Sequence, residues 1–350
     1  MGKKFTIGVL IGNVHTAHPK DLMRGIRAAA SGMDVNVIYF LGTQSVRFNQ
    51  KFALEDFDYQ YNTVYDYAKL AKVDVLIIAY GSLCIFQKNE DKQAFLDKFA
   101  GIPYVLLEDA TDDPRGIYVM VDNFGGMQKC VEHLIIEHHL KHLVYLGGPE
   151  DNQDAIERKA AFLNVMAEHH LPVTPEMMAV GDYSEFVDNL VEQLLKDNPD
   201  AEAIISANDE MTVACYRVCK AHGLRIGKDI LITGFDDVER ARYSNPPLTT
   251  VSQDAYKMGQ IAVEKAVDIC AGRPVESVRL DAELIIRESC GCKVTRRAKE
   301  KADEKTELLH IIDELRLFQH KSWLGPFLIR DLMQEAENEK SFYRKSGEVF

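Results

Sequence analysis

Nothing in this chain is apolar for the roughly 18 to 20 residues that a bilayer-spanning helix needs. The longest runs, such as Val75 to Tyr80, fall far short of that, as does Leu284 to Ile286, and no membrane span is expected. The N-terminus reads Met1-Gly2-Lys3-Lys4 and passes directly into an apolar strand at Phe5. Without a longer apolar core and a small-residue cleavage site it is not read as a secretory leader, and a cytoplasmic location is expected. Clustered basic residues are missing as well: Lys and Arg total 41 against 54 Asp and Glu, a formal charge of -13 spread along the whole length. Non-specific nucleic-acid affinity comes from clustered Lys and Arg, so a broad phosphate-binding surface is excluded. No CxxC pair occurs among the seven cysteines. Their odd number fits free thiols in a reducing compartment better than a disulfide framework.

Several catalytic signatures are also absent. There is no GxGxxG and no GxxxxGK[ST], which removes the main support for dinucleotide and P-loop readings. No GxSxG elbow supplies a hydrolase nucleophile. The densest set of potential metal ligands is His133, Glu137, His138, His139 and His142, but neither HExxH nor HxxEH is present. In an α-helix those spacings are what place two imidazoles on one face. His133 and Glu137 do share a face, and a solvated helix end is the simpler reading. Cys215 and Cys219, one turn apart in an apolar helix, read as buried small hydrophobes. Cys290-Gly291-Cys292 has no further ligands close to it in sequence. No metal and no cofactor are therefore expected.

What the chain does contain is a regular alternation of short β-branched runs with amphipathic helical stretches, the pattern of a parallel sheet with crossover helices. At 350 residues it is long enough for two lobes with real cores. The first series runs from a strand at Phe5 to Ile11 through a helix over about 20–30, in which Leu22, Ile26 and Ala29 share a face. It continues with strands at Val35 to Leu41, Val75 to Ala79 and Tyr104 to Leu107, and ends at Ile117 to Val121. A second series repeats this logic, beginning with a helix over about 126–138, with strands at Leu143 to Leu146, Ala203 to Ser206 and Ile230 to Thr233. A helix over about 255–271 and strands near 278–280 and 284–286 complete the globular part. After Cys292 the chain becomes rich in Lys, Glu and Arg, and Leu308, Ile311, Leu315 and Phe318 recur at 3, 4, 3. That spacing fits either a coiled-coil seam or a stripe docked on the body.

Polar residues gather at strand C-termini, where open α/β sheets bind ligands. Asn13, His15 and His18 follow the first strand, Tyr80 and Ser82 the third, and Asp109 the fourth; Asn208 with Asp209 and Asp236 with Asp237 follow two strands of the second series. Each alone reads equally as a helix cap or turn former. Five such groups at one edge imply a cleft between the lobes.

An ordered set of motifs carries a family resemblance over residues 5–290. It comprises Val121-Asp122-Asn123-Phe124-Gly125-Gly126, Leu146-Gly147-Gly148-Pro149 with Arg158 and Phe162, and Ala207-Asn208-Asp209-Glu210-Met211. Gly234-Phe235-Asp236-Asp237, Pro246-Pro247-Leu248-Thr249-Thr250-Val251 with Gln253, and Arg287-Glu288-Ser289-Cys290 complete it. The chain resembles the ligand-binding core of LacI/GalR-type regulators, related to type 1 periplasmic binding proteins. The resemblance implies an α/β, two-lobed fold: an N-lobe over 5–120 to which about 253–281 returns, and a C-lobe over 121–252 with about 282–292. Residues 293–350 are expected to form a helical coupling extension. It also implies a small-molecule, sugar-like ligand contacted by Arg158, Asn208 and Asp236, covered by Tyr183, with Gln253 and Asp109 as further contacts. Asn13, His15, His18, Tyr80 and Ser82 would set ligand identity. Family regulators begin with a helix-turn-helix, whereas this chain starts in the first strand, so direct DNA binding by it is not expected. The C-terminal extension is similar to those of sensor modules fused to outputs such as GGDEF cyclases, and no GGDEF motif is present.

The leading expectation is a non-enzymatic sensor, homodimeric, that closes on its ligand and signals through its C-terminal helix to an output module or partner. A sugar transporter's solute-binding protein, or a LacI-type transcriptional regulator core without its DNA-binding domain, uses the same clamp. An α/β enzyme would need Asp109 and Asp236 as an acid/base pair, and no nucleophile or cofactor motif supports it.

Overall fold

The computed structural model describes residues 4–14, 17–42, 62–83 and 89–293. In chain order the elements are β1 (Phe5–Gly12), α1 (Ala17–Ser31), β2 (Val35–Gly42), α2 (Thr63–Leu70), β3 (Val75–Ala79), α3 (Tyr80–Leu83), α4 (Asn89–Asp97), β4 (Tyr104–Leu107) and β5 (Gly116–Val121). The second half holds α5 (Asn123–Glu132), a π-helical turn (His133–Glu137), β6 (Leu143–Gly147), α6 (Gln153–Glu168), β7 (Met178–Val180), α7 (Asp188–Asp197), β8 (Ala203–Ser206), α8 (Asp209–Ala221) and β9 (Leu231–Thr233). It closes with α9 (Glu239–Tyr243), β10 (Thr250–Ser252), α10 (Ala255–Cys270), β11 (Val278–Leu280) and β12 (Glu283–Ile285). The amphipathic stripe expected at 308–318 lies outside the described residues.

Two parallel sheets result. The first has the order β11-β5-β4-β3-β1-β2 and the second β7-β6-β8-β9. In each, the strand order reverses beside the first strand of its series, at β1 and at β6. That reversal opens a crevice outside the carboxyl ends of the strands. β10 and β12 form a short antiparallel ladder. The chain crosses between the sheets at 121–123, 252–255 and 280–283, so α10 and β11 rejoin the first sheet although they follow the second in sequence.

Burial explains the strand sequences. β3 is buried at every position, as a parallel strand covered on both faces must be. Each fully buried Ile or Val there contributes about 1.5–3 kcal/mol of transfer free energy. The helices present apolar stripes to the sheets. Leu22 and Ile26 of α1 are fully buried, and α1 meets the returning α10 at a close crossing. Glycine sets that distance: a Cβ on Gly25 would lie 1.9 Å from the Tyr256 carbonyl oxygen, and one on Gly259 would lie 2.4 Å from that of Leu22. In the second sheet Tyr145 stacks on Phe162 with ring centroids 4.9 Å apart, worth about 1 kcal/mol beyond the area buried. Cys215 and Cys219 are both buried in this core.

The helix expected over about 126–138 differs from the observed one in an informative way. α5 starts at its Asp122 cap, whose carboxylate accepts from the Gly125 N–H at 2.9 Å, and ends at Glu132; the next five residues wind as a π-turn.

Candidate functional site

The two sheets bring their carboxyl-end residues together. From the first, the loop after β4 carries Glu108, whose backbone is left-handed (φ 69) and whose side chain is buried. It accepts a short hydrogen bond from Nε2 of His18, in the first turn of α1. Burial opposes a charge on the imidazole, but Glu108, with Asp236 and Asp154 of the other lobe, outweighs it and pushes the His18 pKa up to about 9.

From the second sheet comes Arg158, which projects from α6 and is almost completely buried. Its Nε donates to Asn123 Oδ1 at 2.8 Å and its Nη1 to the Ala207 carbonyl at 2.6 Å. Asp236 Oδ1 lies 3.5 Å from Nη1, and Asp154 Oδ2 lies 3.7 Å from Nη2. Asn123 Nδ2 donates to the other Asp154 oxygen at 2.8 Å. The guanidinium also sits over the Phe235 ring, 3.8 Å from its centroid. Gln253 donates a short hydrogen bond to Asp236. Burial raises the Asp236 carboxyl, with Arg158 and His18 opposing, and burial against Arg158 pushes Asp154 up to about 7.

The sequence-predicted residues fall into groups. His18, Arg158, Asp236 and Gln253 belong to this one constellation. Tyr183 and Asn208 form a neighbouring pair: Asn208 Nδ2 donates to the Tyr183 carbonyl at 3.2 Å, and the Tyr183 hydroxyl donates to Asn152 Oδ1 at 3.3 Å. Asn208 is also the cap of α8, accepting from the Met211 N–H at 3.0 Å. Asp109 turns away from His18. Its Oδ2 lies 2.5 Å from Lys92 Nζ, which also stands 5.1 Å from the centre of the Tyr80 ring. Asn13 follows the last residue of β1 in the left-handed conformation, φ 51. His15 and the Ser82 side chain lie outside the described residues.

Asp209 and Asp237, grouped by sequence with the edge residues, are engaged within the C-lobe. Asp209 is buried and accepts from Thr250 Oγ1 at 2.6 Å and the Val238 N–H at 3.0 Å. Asp237 pairs with Arg287 at 2.5 Å and Arg242 at 2.9 Å.

Glu108, Asn123, Asp154 and Phe235 were not singled out by sequence. Asp154 had a visible signal, since it lies four residues before Arg158 on one helix. Glu108 had none that separates it from Asp109. Together the site sets the carboxyls of Glu108, Asp154 and Asp236 against Arg158 and His18. Such an array offers directed, charge-assisted hydrogen bonds to a ligand rich in hydroxyls. A separate group, His133, His138, Cys290 and Cys292, holds its four ligand atoms within 4.8 Å of one another.

Residues 131–290 match the family model of a periplasmic binding protein-like domain. The described body has the two-lobed α/β fold of the lac repressor, with which it aligns at TM-score 0.69 and 23% identity over 83% of this chain and 82% of that one. The chain is 30% identical over 216 residues to the HTH-type transcriptional regulator CelR of Thermobifida fusca, over 59% of this chain and 62% of that protein. It is 29% identical over 198 residues to the repressor PurR of Aliivibrio fischeri, over 55% and 56% of the two. The match thus spans about three fifths of these curated relatives. Among solved structures, a LacI-family regulatory protein from Chloroflexus aggregans aligns with TM-score 0.66 at 26% identity, over 81% of this chain and 98% of that one. A CelR–cellobiose complex aligns with TM-score 0.68 at 23% identity, over 82% and 85%. No described helix is long and apolar enough to cross a membrane.

Proposed function

We propose that this chain is a cytoplasmic, non-enzymatic sensor that binds a small, neutral, hydroxyl-rich ligand between its lobes. In this reading it acts as a homodimer and passes lobe closure through residues 293–350 to an output module or partner. The observation that carries it is the Arg158 constellation, in which buried ionised and amide groups of one lobe face His18 and Glu108 of the other. Three carboxyls against one guanidinium and one imidazole disfavour an anionic ligand and favour donors such as sugar hydroxyls. Asp236, Arg158, Gln253 and His18 would contact it, with Tyr183 and Asn208 beside them and Asp109, Tyr80 and Asn13 at the N-lobe rim. That CelR has been seen with cellobiose supports a sugar-like ligand. Closure follows only to the extent that the ligand binds the closed form better than the open one.

A second reading, the ligand-responsive core of a transcription regulator, is supported by the HTH-type regulators among the relatives. It shares the binding step and differs in output. Acid/base catalysis by Asp109 and Asp236 is disfavoured, because Asp109 is engaged by Lys92.

A thermal-shift screen against neutral mono- and disaccharides, polyols, nucleosides, nucleobases and sugar acids tests the binding step. Ligand at 100 times its Kd adds about 2.7 kcal/mol, a shift of several degrees. The expected result is a neutral hydroxylated hit that disappears in Asp236→Ala. Hits confined to sugar acids, or turnover of a bound sugar, would overturn the reading. Deleting residues 300–350 should leave binding intact while abolishing the ligand response of a longer signalling fusion. Light scattering that finds a monomer at micromolar concentration would remove the dimer.

A further inference from the structure

His133 and His138 stand at the two ends of the π-helical turn that follows α5, and Cys290 and Cys292 lie in the turn after β12. More than 150 residues separate the two pairs, yet the fold joins them. His133 Nε2 is 3.2 Å from His138 Nε2 and 3.4 Å from Cys290 Sγ. Cys292 Sγ is 3.4 Å from His138 Nε2 and 3.7 Å from His133 Nε2. A tetrahedral zinc ion with bonds of about 2.3 Å to sulfur and about 2.05 Å to nitrogen spaces its ligands about 3.3 Å apart for N···N and about 3.5 Å for N···S. These four of the six separations lie within about 0.2 Å of those values, and all four ligand atoms lie within 4.8 Å of one another, so small side-chain adjustments close the set around one ion.

The local backbone accounts for the convergence. In an α-helix, residues five apart point to different sides, so a five-residue spacing of histidines reads as two unrelated side chains. The wider π-turn brings residues i and i+5 toward one side, and such turns are frequent at functional sites. Between the cysteines, Gly291 has φ 87, a conformation L side chains rarely adopt, and the chain reverses there so that both sulfurs reach the imidazoles. Cys290 has outer-shell support. The Arg287 N–H donates to Thr249 Oγ1 at 2.8 Å, which leaves the Thr249 hydroxyl proton to donate to Cys290 Sγ at 3.0 Å. A donor aimed at sulfur stabilises a thiolate, and outer-shell partners of this kind orient metal ligands.

We propose that His133, His138, Cys290 and Cys292 form a structural zinc site that fastens the end of the sensor body to the π-turn. Two thiolates and two neutral imidazoles make the complex with Zn(II) electrically neutral, which suits a half-buried setting. Binding releases one proton from each thiol, and four protein ligands leave no open coordination position, as in structural rather than catalytic sites. The site lies immediately before residues 293–350, so it would fix the point from which that segment departs.

The test uses the full-length, reduced chain loaded with zinc and freed of excess by gel filtration. One zinc per chain is expected by elemental analysis. Cobalt in its place should give the intense visible bands of a tetrahedral centre and a thiolate-to-metal charge-transfer band. Both signatures should vanish in Cys292→Ser and in His138→Asn and persist in His139→Asn, which alters an exposed neighbour. A strong chelator should lower the wild-type melting temperature by several degrees and leave the two ligand variants unmoved. Thiol titration needs no variant: two thiols should be shielded in the zinc form and react after chelation. Weak octahedral cobalt bands, unchanged stoichiometry in both ligand variants, or thiols released only by a reductant, as a Cys290–Cys292 disulfide would require, each overturn the proposal.

Discussion

The Arg158 guanidinium lies 3.8 Å from the centre of the Phe235 ring while its edge is held by Asn123, the Ala207 carbonyl, Asp154 and Asp236. One face of a planar cation is therefore covered by an aromatic quadrupole and its rim is hydrogen-bonded, an arrangement that a lysine ammonium has no means of reproducing.

Removing that cation should be costly. Arg158→Met leaves two buried carboxyls without their partner, and breaking a buried pair in this way costs about 3–5 kcal/mol. Urea unfolding at neutral pH should show a lower midpoint with an unchanged slope. Adding Asp154→Asn should recover little of the loss, because burial already favours the neutral form of that carboxyl and without Arg158 the main opposing charge is gone. A single variant as stable as wild type would mean the network adds nothing to the fold.

The same network makes stability depend on pH. The Asp154 pKa rises from an ordinary 3.8 to about 7, chiefly through burial, so its protonated form is favoured in the native state. Its contribution is present below pH 3.8 and is lost as pH climbs through 7. His18 rises from 6.5 to about 9, burial being outweighed by Glu108, so its contribution is present below 6.5 and lost through 9. Both act in the same direction. The melting temperature of the ligand-free chain should decline from mildly acidic to alkaline pH. His18→Gln should flatten the upper part of that decline and Asp154→Asn the lower part. A decline identical in all three proteins would refute both assignments.

How far the sequence discloses this site depends on what each feature requires. β3 is readable because a short aliphatic run set between Asp74 and the Tyr80-Gly81 turn fits a buried strand. Arg158, Asp236 and Gln253 are readable as motif positions, and Asn123 lies within a motif without marking itself. The choice between Glu108 and Asp109 is not readable. It turns on one left-handed residue at the end of β4, which sends the first carboxylate to His18 and the second to Lys92. Periodicity at 3.6 residues per turn also carried α5 through to His138, since that template contains no π-turn. The reading of Cys290 and Cys292 as isolated thiols rested on sequence distance, which the tertiary fold cancels.

Gly81 offers a way to perturb the N-lobe half of the site from outside it. A Cβ at this position would lie 2.5 Å from Glu108 Cβ and 2.9 Å from its Oε2. Neither the backbone at β4 nor the buried carboxylate can yield without moving the contact to His18. Gly81→Ala should destabilise by about 1–3 kcal/mol, the usual cost of overpacking. It should also lower the His18 pKa toward 6.5 when followed by NMR titration. An unshifted His18 would show that Glu108 is not what holds its proton.

Asp209 separates scaffold from ligand contact. Although it follows a strand C-terminus like the binding residues, its carboxylate is turned inward onto the Thr250 hydroxyl and the Val238 N–H. Asp209→Ala strands two buried donors, each at about 1–3 kcal/mol, and should lower the melting temperature by several degrees. Asp209→Asn keeps one acceptor for the Val238 N–H, and the Thr250 hydroxyl can rotate to accept from the new amide, so most of the stability should remain. In calorimetric titration with whichever ligand the screen identifies, Asp209→Asn should bind nearly as tightly as wild type, whereas Asp236→Ala should not bind measurably. Loss of affinity in Asp209→Asn with its melting temperature intact would place Asp209 in the binding surface and require a rotation of the 234–238 loop on closure.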